Sequence, residues 1–264
     1  METQIPHEKK IIKTNLFQMW EPFRQSLIEE NRFYLEQGKK KLLSQFDNIE
    51  QEADEAGKRW LESRSAHFDP DRHAPGDFEE RAYDESVEFY RLLSEMRDQT
   101  RLSLIAGMFH EWDKNLRGWL VKEIRHWHIG ENVTQKVWSA NFDEIAAFLD
   151  CMGLASQSSS CLKSLSAFRY VINVYKHGDG SSLDALKANH QEFLQNVLAQ
   201  YIPMDIEWLD HTHLAVSDEH LDELSLAITE FWESIPKDVY DDSITTIPPW
   251  FEKAQAKDNK DPQR

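Results

Sequence analysis

Arg169, Asn173 and His177 stand at intervals of four residues in the run FRYVINVYKHGDG, so on a helix they form one tilted stripe. Their types cover distinct tasks. An arginine offers a planar fork to an oxyanion. An asparagine both donates and accepts, and so orients its neighbours. A histidine exchanges protons near neutral pH. From Arg169 to His177 the helix rises about 12 Å and turns a net of about 80°. The two side chains share one side of the helix but are too far apart to grip one phosphate from a single chain. Asn173 lies between them and reaches either. Gly178 follows His177 and marks the helix end, where aligned carbonyls favour a cation. Lys176 and Asp179 are candidate binding residues beside this stripe. A structural role is the alternative: His177 and Asn173 bond to the loop, and Asp179 shapes the Gly178–Gly180 turn. Gly-x-Gly in such a turn is too weak a signal for a nucleotide cradle.

Other polar clusters are less specific. His67, Asp69, Asp71 and His73 invite a metal reading, but the loop HFDPDRHAPGDF reads better as a plain turn. His110, Glu111, Asp113 and Lys114 can supply acid–base groups, yet they read better as the polar edge of an aromatic helix; Glu111 is retained as a binding candidate. His211 and His213 flank Thr212 without an evident third ligand. A mononuclear metal hydrolase on His110, Glu111, His211 and His213 is therefore a distant reading. No metal site and no cofactor is expected.

The elements that must position the stripe read as helices. Residues 11–65 predict one long helix or two in succession, with Trp20, Phe23, Leu27, Phe33, Leu35, Leu42, Leu43 and Phe46 near helical spacing. The polar half, DNIEQEADEAGKRW, predicts an exposed arm or part of a helical hairpin. Residues 79–127 predict another helix, with Ile105, Phe109, Trp112, Leu116, Trp119, Leu120, Ile124 and Trp127 as its apolar stripe. Ser139 or Asn141 caps FDEIAAFLDCMGL, and Gly153 stops it. The central helix, about 161–175, buries Cys161, Leu165, Phe168, Ile172 and Tyr175, widened by Leu162 and Val171. Ser182 is expected to cap the next helix, with Leu183, Leu186, Phe193 and Val197 on its apolar side. Residues 202–216 are irregular, and a last helix runs from about 217 to Pro236. Residues from about 252 onward are expected to be disordered. The expected organisation is an N-terminal helical arm at 1–70, an antiparallel helical bundle at 79–240 and a flexible tail at 241–264.

Composition narrows the classes. The chain has 264 residues, 40% apolar, with nine Trp and fourteen Phe but few Gly and Pro. That supports an all-α fold with a substantial core. A net charge of −17 disfavours non-specific coating of nucleic acid. Residues 101–128 and 156–190 are mildly basic, which leaves room for a local anion site. Cys151 and Cys161 form neither a metal spacing nor a disulfide framework, which points to a reducing compartment. No apolar signal core or membrane span is evident. A soluble cytoplasmic protein, with no membrane partner, is expected.

The run NVYKHGDGSSLDALK, preceded by an Arg-containing helix, resembles the end of the motif helix in the HEPN superfamily, whose motif is Arg, four to six residues, then His. The helix MFHEWDKNLRGWL is similar to the partner helix of that bundle, which often carries a glutamate, here Glu111. The resemblance covers roughly residues 80–235. It implies a four-helix domain, usually dimeric, that cleaves RNA or binds nucleotide, with the motif helices of two subunits facing each other. Many members are toxins, abortive-infection proteins or parts of phage defence; others are inert binding modules. On this resemblance His177 is the general acid or base, Arg169 stabilises charge on the phosphorane, and Asn173 orients either group. Seven residues separate Arg169 from His177, one more than the motif. If Asn173 is instead the polar residue after the motif arginine, Ile172 occupies the arginine position. Lys176 then replaces the charge but not the bidentate geometry.

Two functions follow as expectations. The first is a metal-independent endoribonuclease effector in phage defence or a toxin–antitoxin system. The second is a non-catalytic module that uses the same bundle to form a homodimer or to dock a protein partner or antitoxin. The acidic N-terminal arm suits the second.

Overall fold

The computed structural model describes residues 13–69, 71–72, 74–195, 205–244 and 246–260. It is all-α apart from one small antiparallel ribbon. In order, the elements are β1 (Asn15–Gln18), α1 (Glu21–Lys41), α2 (Ile49–Ser65), α3 (Pro75–Ile124), α4 (Glu131–Ser139), α5 (Phe142–Cys151), α6 (Ser160–His177), α7 (Ser181–Asn189), α8 (Asp218–Ser234), β2 (Asp238–Tyr240) and α9 (Pro249–Lys260). Two compact units are each assembled from separated stretches. The first takes the described residues within 1–30, 110–166 and 226–264; the second takes those within 31–109 and 167–225. Helices α1, α3, α6 and α8 give residues to both. The units therefore do not follow divisions near residues 70–79 and 241.

The first unit is built on aromatics. Phe17 packs against Trp119, Trp127 and Phe148 at ring separations of 6.0, 6.1 and 6.2 Å. Phe17 and Met19 are fully buried while Gln18 between them is exposed. That period of two is a strand signal, and β1 pairs antiparallel with β2. The helix expected from residue 11 thus starts only at Glu21. Trp127 Nε1 donates to the Leu16 carbonyl at 2.9 Å, which fixes the strand against the end of α3.

Helix termini leave unpaired backbone groups, and here charged side chains from other helices satisfy them. Arg24 donates to the carbonyls of Glu233 and Ile235, both at 2.8 Å, at the end of α8. Arg117 donates to the Val137 and Ala140 carbonyls at 2.6 and 2.8 Å, at the end of α4. Helix α5 carries its own cap. Asn141 Oδ1 accepts from the Glu144 N–H and Glu144 answers to the Asn141 N–H, both at 2.9 Å, as the sequence predicts.

Helix α9 corrects the expected flexible tail at 241–264. Phe251 is fully buried and stacks on Phe148 at 4.8 Å. Asp258, two turns further on the same face, caps the start of α4. Its carboxylate accepts from the backbone N–H of Asn132 and Val133 at 2.9 and 3.1 Å, and from Asn132 Nδ2 at 2.8 Å. The tail reading failed because this polar stretch gains its partners only from distant residues. Residues 261–264 lie outside the described residues.

In the second unit, α2 and the first part of α3 form a helical hairpin. Trp60 meets Phe78 at 6.1 Å. A Cβ on Gly57 would come within 2.7 Å of the Ala82 carbonyl oxygen, so that seam closes on small residues. Asn31 Nδ2 donates to the Ser225 hydroxyl and carbonyl at 2.9 and 3.0 Å. Phe193 packs on Phe168 and His220 at 5.3 and 4.7 Å.

Asp258 makes the fold pH-sensitive in a defined direction. Burial alone would raise its pKa. The hydrogen bonds from His128, Asn132 and Val133 outweigh this and hold the carboxyl at about 2. The group therefore stabilises the fold above its unfolded pKa of roughly 4, and that share is lost as pH falls toward 2. Asp258→Asn should cost about 1–3 kcal/mol at pH 7. In urea titrations the gap from the parent protein should shrink as pH is lowered below about 4. A gap independent of pH would contradict the assignment.

Candidate functional site

The stripe lies on α6, which begins after the serine-rich turn and ends at His177. Cys161, Leu162, Leu165, Phe168, Val171 and Ile172 are buried as the spacing predicts, joined by Val174. Tyr175 is half-buried instead, and its hydroxyl pairs with the Ser103 hydroxyl at 3.0 Å. The polar stripe follows from this burial: positions 169, 173 and 177 are those the apolar face leaves over.

Each stripe residue has a local environment. The Arg169 guanidinium lies over the ring of Tyr170, 4.7 Å from its centroid. Asn173 Nδ2 donates to Ser182 Oγ at 3.3 Å, which ties α6 to α7. Ser182 sits inside the first turn of α7, which starts at Ser181 after Gly180. The expected Ser182 cap is thus replaced by a link between helices. Lys176 and His177 are exposed. Among the described residues neither side chain has a hydrogen-bond or ion-pair partner.

The turn after His177 is held by a long-range clasp. Gly178 adopts φ +75°, and its N–H donates to the Val174 carbonyl at 2.8 Å, ending the helix. Asp179 Oδ1 accepts from the His211 backbone N–H at 2.8 Å and faces His211 Nδ1 at 3.0 Å. These contacts hold the Asp179 carboxyl below its ordinary value, the backbone bond most of all. The His211 ring also faces Gly178: a Cβ there would meet it at 3.7 Å. The chain thus gathers Lys176, His177, Asp179 and His211 around one turn. The sequence shows His211 beside Thr212 and His213, but nothing local links it to Asp179, 32 residues away.

The remaining candidates have partners of their own. Glu111 belongs to the first unit, is exposed, and pairs with Lys114 on its own helix at 2.6 Å. His213 has its own carboxylate, Asp210, at 2.9 Å from Nδ1. Asp210 is held at about 2, chiefly by hydrogen bonds from the Thr212 hydroxyl and N–H. In the loop after α2, Asp69 accepts from the Asp71 N–H at 3.0 Å and pairs with Arg72 at 3.4 Å, the arrangement of a plain turn. His73 and Val197 lie outside the described residues. No group of three His, Cys, Asp or Glu among the described residues is placed to hold a metal ion. No described helix is long and apolar enough to cross a membrane.

No family model, curated protein or solved structure matches the chain.

Two substitutions separate the exposed histidine from the turn that carries it. His177→Ala removes a side chain without partners and should change stability by less than about 0.5 kcal/mol. Gly178→Ala forces a Cβ into a left-handed backbone and should cost about 1–2 kcal/mol. Thermal or urea unfolding of both variants checks the pair. Equal effects would contradict the turn geometry.

Proposed function

We propose that this chain is a non-catalytic helical interaction protein, a degenerate HEPN-like module that self-associates. One observation carries the reading. On α3, Tyr83, Val87 and Tyr90 are 70%, 49% and 44% exposed. Their spacing of four and three is that of a coiled-coil seam. Apolar side chains aligned in this way mark a protein-binding surface more often than scattered ones do. The stripe lies beside the face of α3 that meets α2, so the hairpin has one satisfied seam and one open seam. A second hairpin, supplied by another copy, would complete a four-helix bundle.

Two of the expected catalytic residues, Arg169 and Asn173, and the expected binding residue Asp179 have contacts of their own, which favours the same reading. Arg169 is stacked on Tyr170, Asn173 bridges to Ser182, and Asp179 clasps His211. Asn173 and Asp179 thereby hold the end of α6 in place. Acidic residues outnumber basic ones between positions 75 and 101, so two copies repel at low salt, and screening favours their pairing. A basic protein partner on the same seam would show the opposite salt dependence.

The second reading is a metal-independent ribonuclease effector. It is favoured by the exposed His177 and Lys176 beside the His211–Asp179 pair. There His177 would act as general acid or base and Lys176 would face the phosphate.

Light scattering on the eluted protein distinguishes them. The intact chain should be dimeric, more so at about 0.5 M salt than at low salt. Val87→Glu should weaken pairing about tenfold or more, because it buries an unpaired charge. A monomer under all conditions would overturn the self-association. Cleavage of cellular RNA on induction, abolished by His177→Ala, would establish the ribonuclease instead.

A further inference from the structure

A cleft of about 720 Å³ in the second unit is lined from both sides by cations: Lys39 and Lys40 at the end of α1, Arg97 and Arg101 one turn apart on α3. Its volume lies within the range of small-ligand sites, roughly 300–1,000 Å³. In a chain of net charge −17, four cations converge on one cleft beside three carboxylates, Glu36, Asp47 and Asp218.

Their pairing is uneven, and that defines what the cleft still offers. Asp222 holds Lys39 at 2.6 Å, and Asp218 and Asp98 hold Arg101 at 2.7 and 2.9 Å. These pairs fix the two flanking cations in position. The Lys40 side chain has no hydrogen-bond or ion-pair partner among the described residues. Arg97 has one long contact, Nε to Asp98 at 3.5 Å, which leaves the outer edge of its guanidinium open. That edge is the fork that takes a phosphate oxygen pair.

The lining is mixed. Glu36 and Asp47 also border the cleft and have no side-chain partner among the described residues. A bare anion would meet these carboxylates as like charges. A ligand that also carries hydroxyl groups would donate to them. Phe46 and Leu43 add an apolar wall.

We infer that this cleft binds a hydroxyl-bearing phosphate ester, with Arg97 and Lys40 on the phosphate and Glu36 and Asp47 on the hydroxyls. The inference is independent of the α3 seam and of the α6 turn. Titration calorimetry on the full chain tests it, with ribose 5-phosphate and inorganic phosphate as probes at matched ionic strength. Ribose 5-phosphate should bind at least tenfold more tightly than inorganic phosphate. Arg97→Gln and Lys40→Gln should each weaken it tenfold or more, with unchanged helicity by circular dichroism. Asp47→Asn should weaken ribose 5-phosphate and leave or improve binding of inorganic phosphate. Absence of binding to either probe at millimolar concentration overturns the inference. So does equal binding of both probes, or binding that survives Arg97→Gln and Lys40→Gln together.

Discussion

The structure depends on one constraint: α3 is 50 residues long, about 75 Å at 1.5 Å per residue, and its apolar residues are not equally provided for. From Leu102 to Ile124 they are enclosed, with Ile105, Leu116 and Leu120 having no exposed surface. Between residues 83 and 96 the same helix leaves Tyr83, Val87, Leu92 and Met96 about half exposed or more. Helix α2 meets the start of this part through Gly57 and Ala82. A small-residue seam brings two backbones close but buries little apolar area. The hairpin therefore holds its shape and leaves apolar surface over. The interaction reading follows from that imbalance.

A second theme is the use of charge at helix ends. Arg24, Arg117 and Asp258 are each less than a tenth exposed, and each meets backbone groups at a terminus. A buried charge is costly when unpaired, but helix ends supply partial charges of opposite sign and unfilled hydrogen bonds. Arg24 and Arg117 meet carbonyls, and Asp258 meets N–H groups, so each sign is matched to its end. This specifies which helix neighbours which within the first unit more tightly than apolar packing alone. The turn after α6 uses the same device on a smaller scale, with Asp179 receiving the His211 N–H.

How much was legible in the sequence follows from the range of the signal. The Asn141 cap, the Gly153 stop and the buried face of α6 were readable because their partners lie within one or two turns. The β1 strand was missed because its partner, β2, lies more than 200 residues on, and Leu16, Phe17 and Trp20 also fit a helical spacing. Helix α9 was missed because Phe251 and Asp258 draw their stability from Phe148 and the start of α4. At the candidate site, the Arg169–Asn173–His177 stripe was visible as spacing. Its surroundings were not: Arg169 lies over Tyr170, Asn173 meets Ser182, and Asp179 beyond the stripe meets His211. The cation-lined cleft was invisible for the same reason, since Lys39 and Lys40 are nearly sixty residues from Arg97.

Hydrogen exchange across a concentration series of the purified protein tests the central claim most directly. Peptides covering residues 83–96 should gain protection as concentration rises, while those covering residues 169–180 stay unchanged. Protection that rises at 169–180 instead, with 83–96 unaffected, would place the contact on α6 and contradict the account.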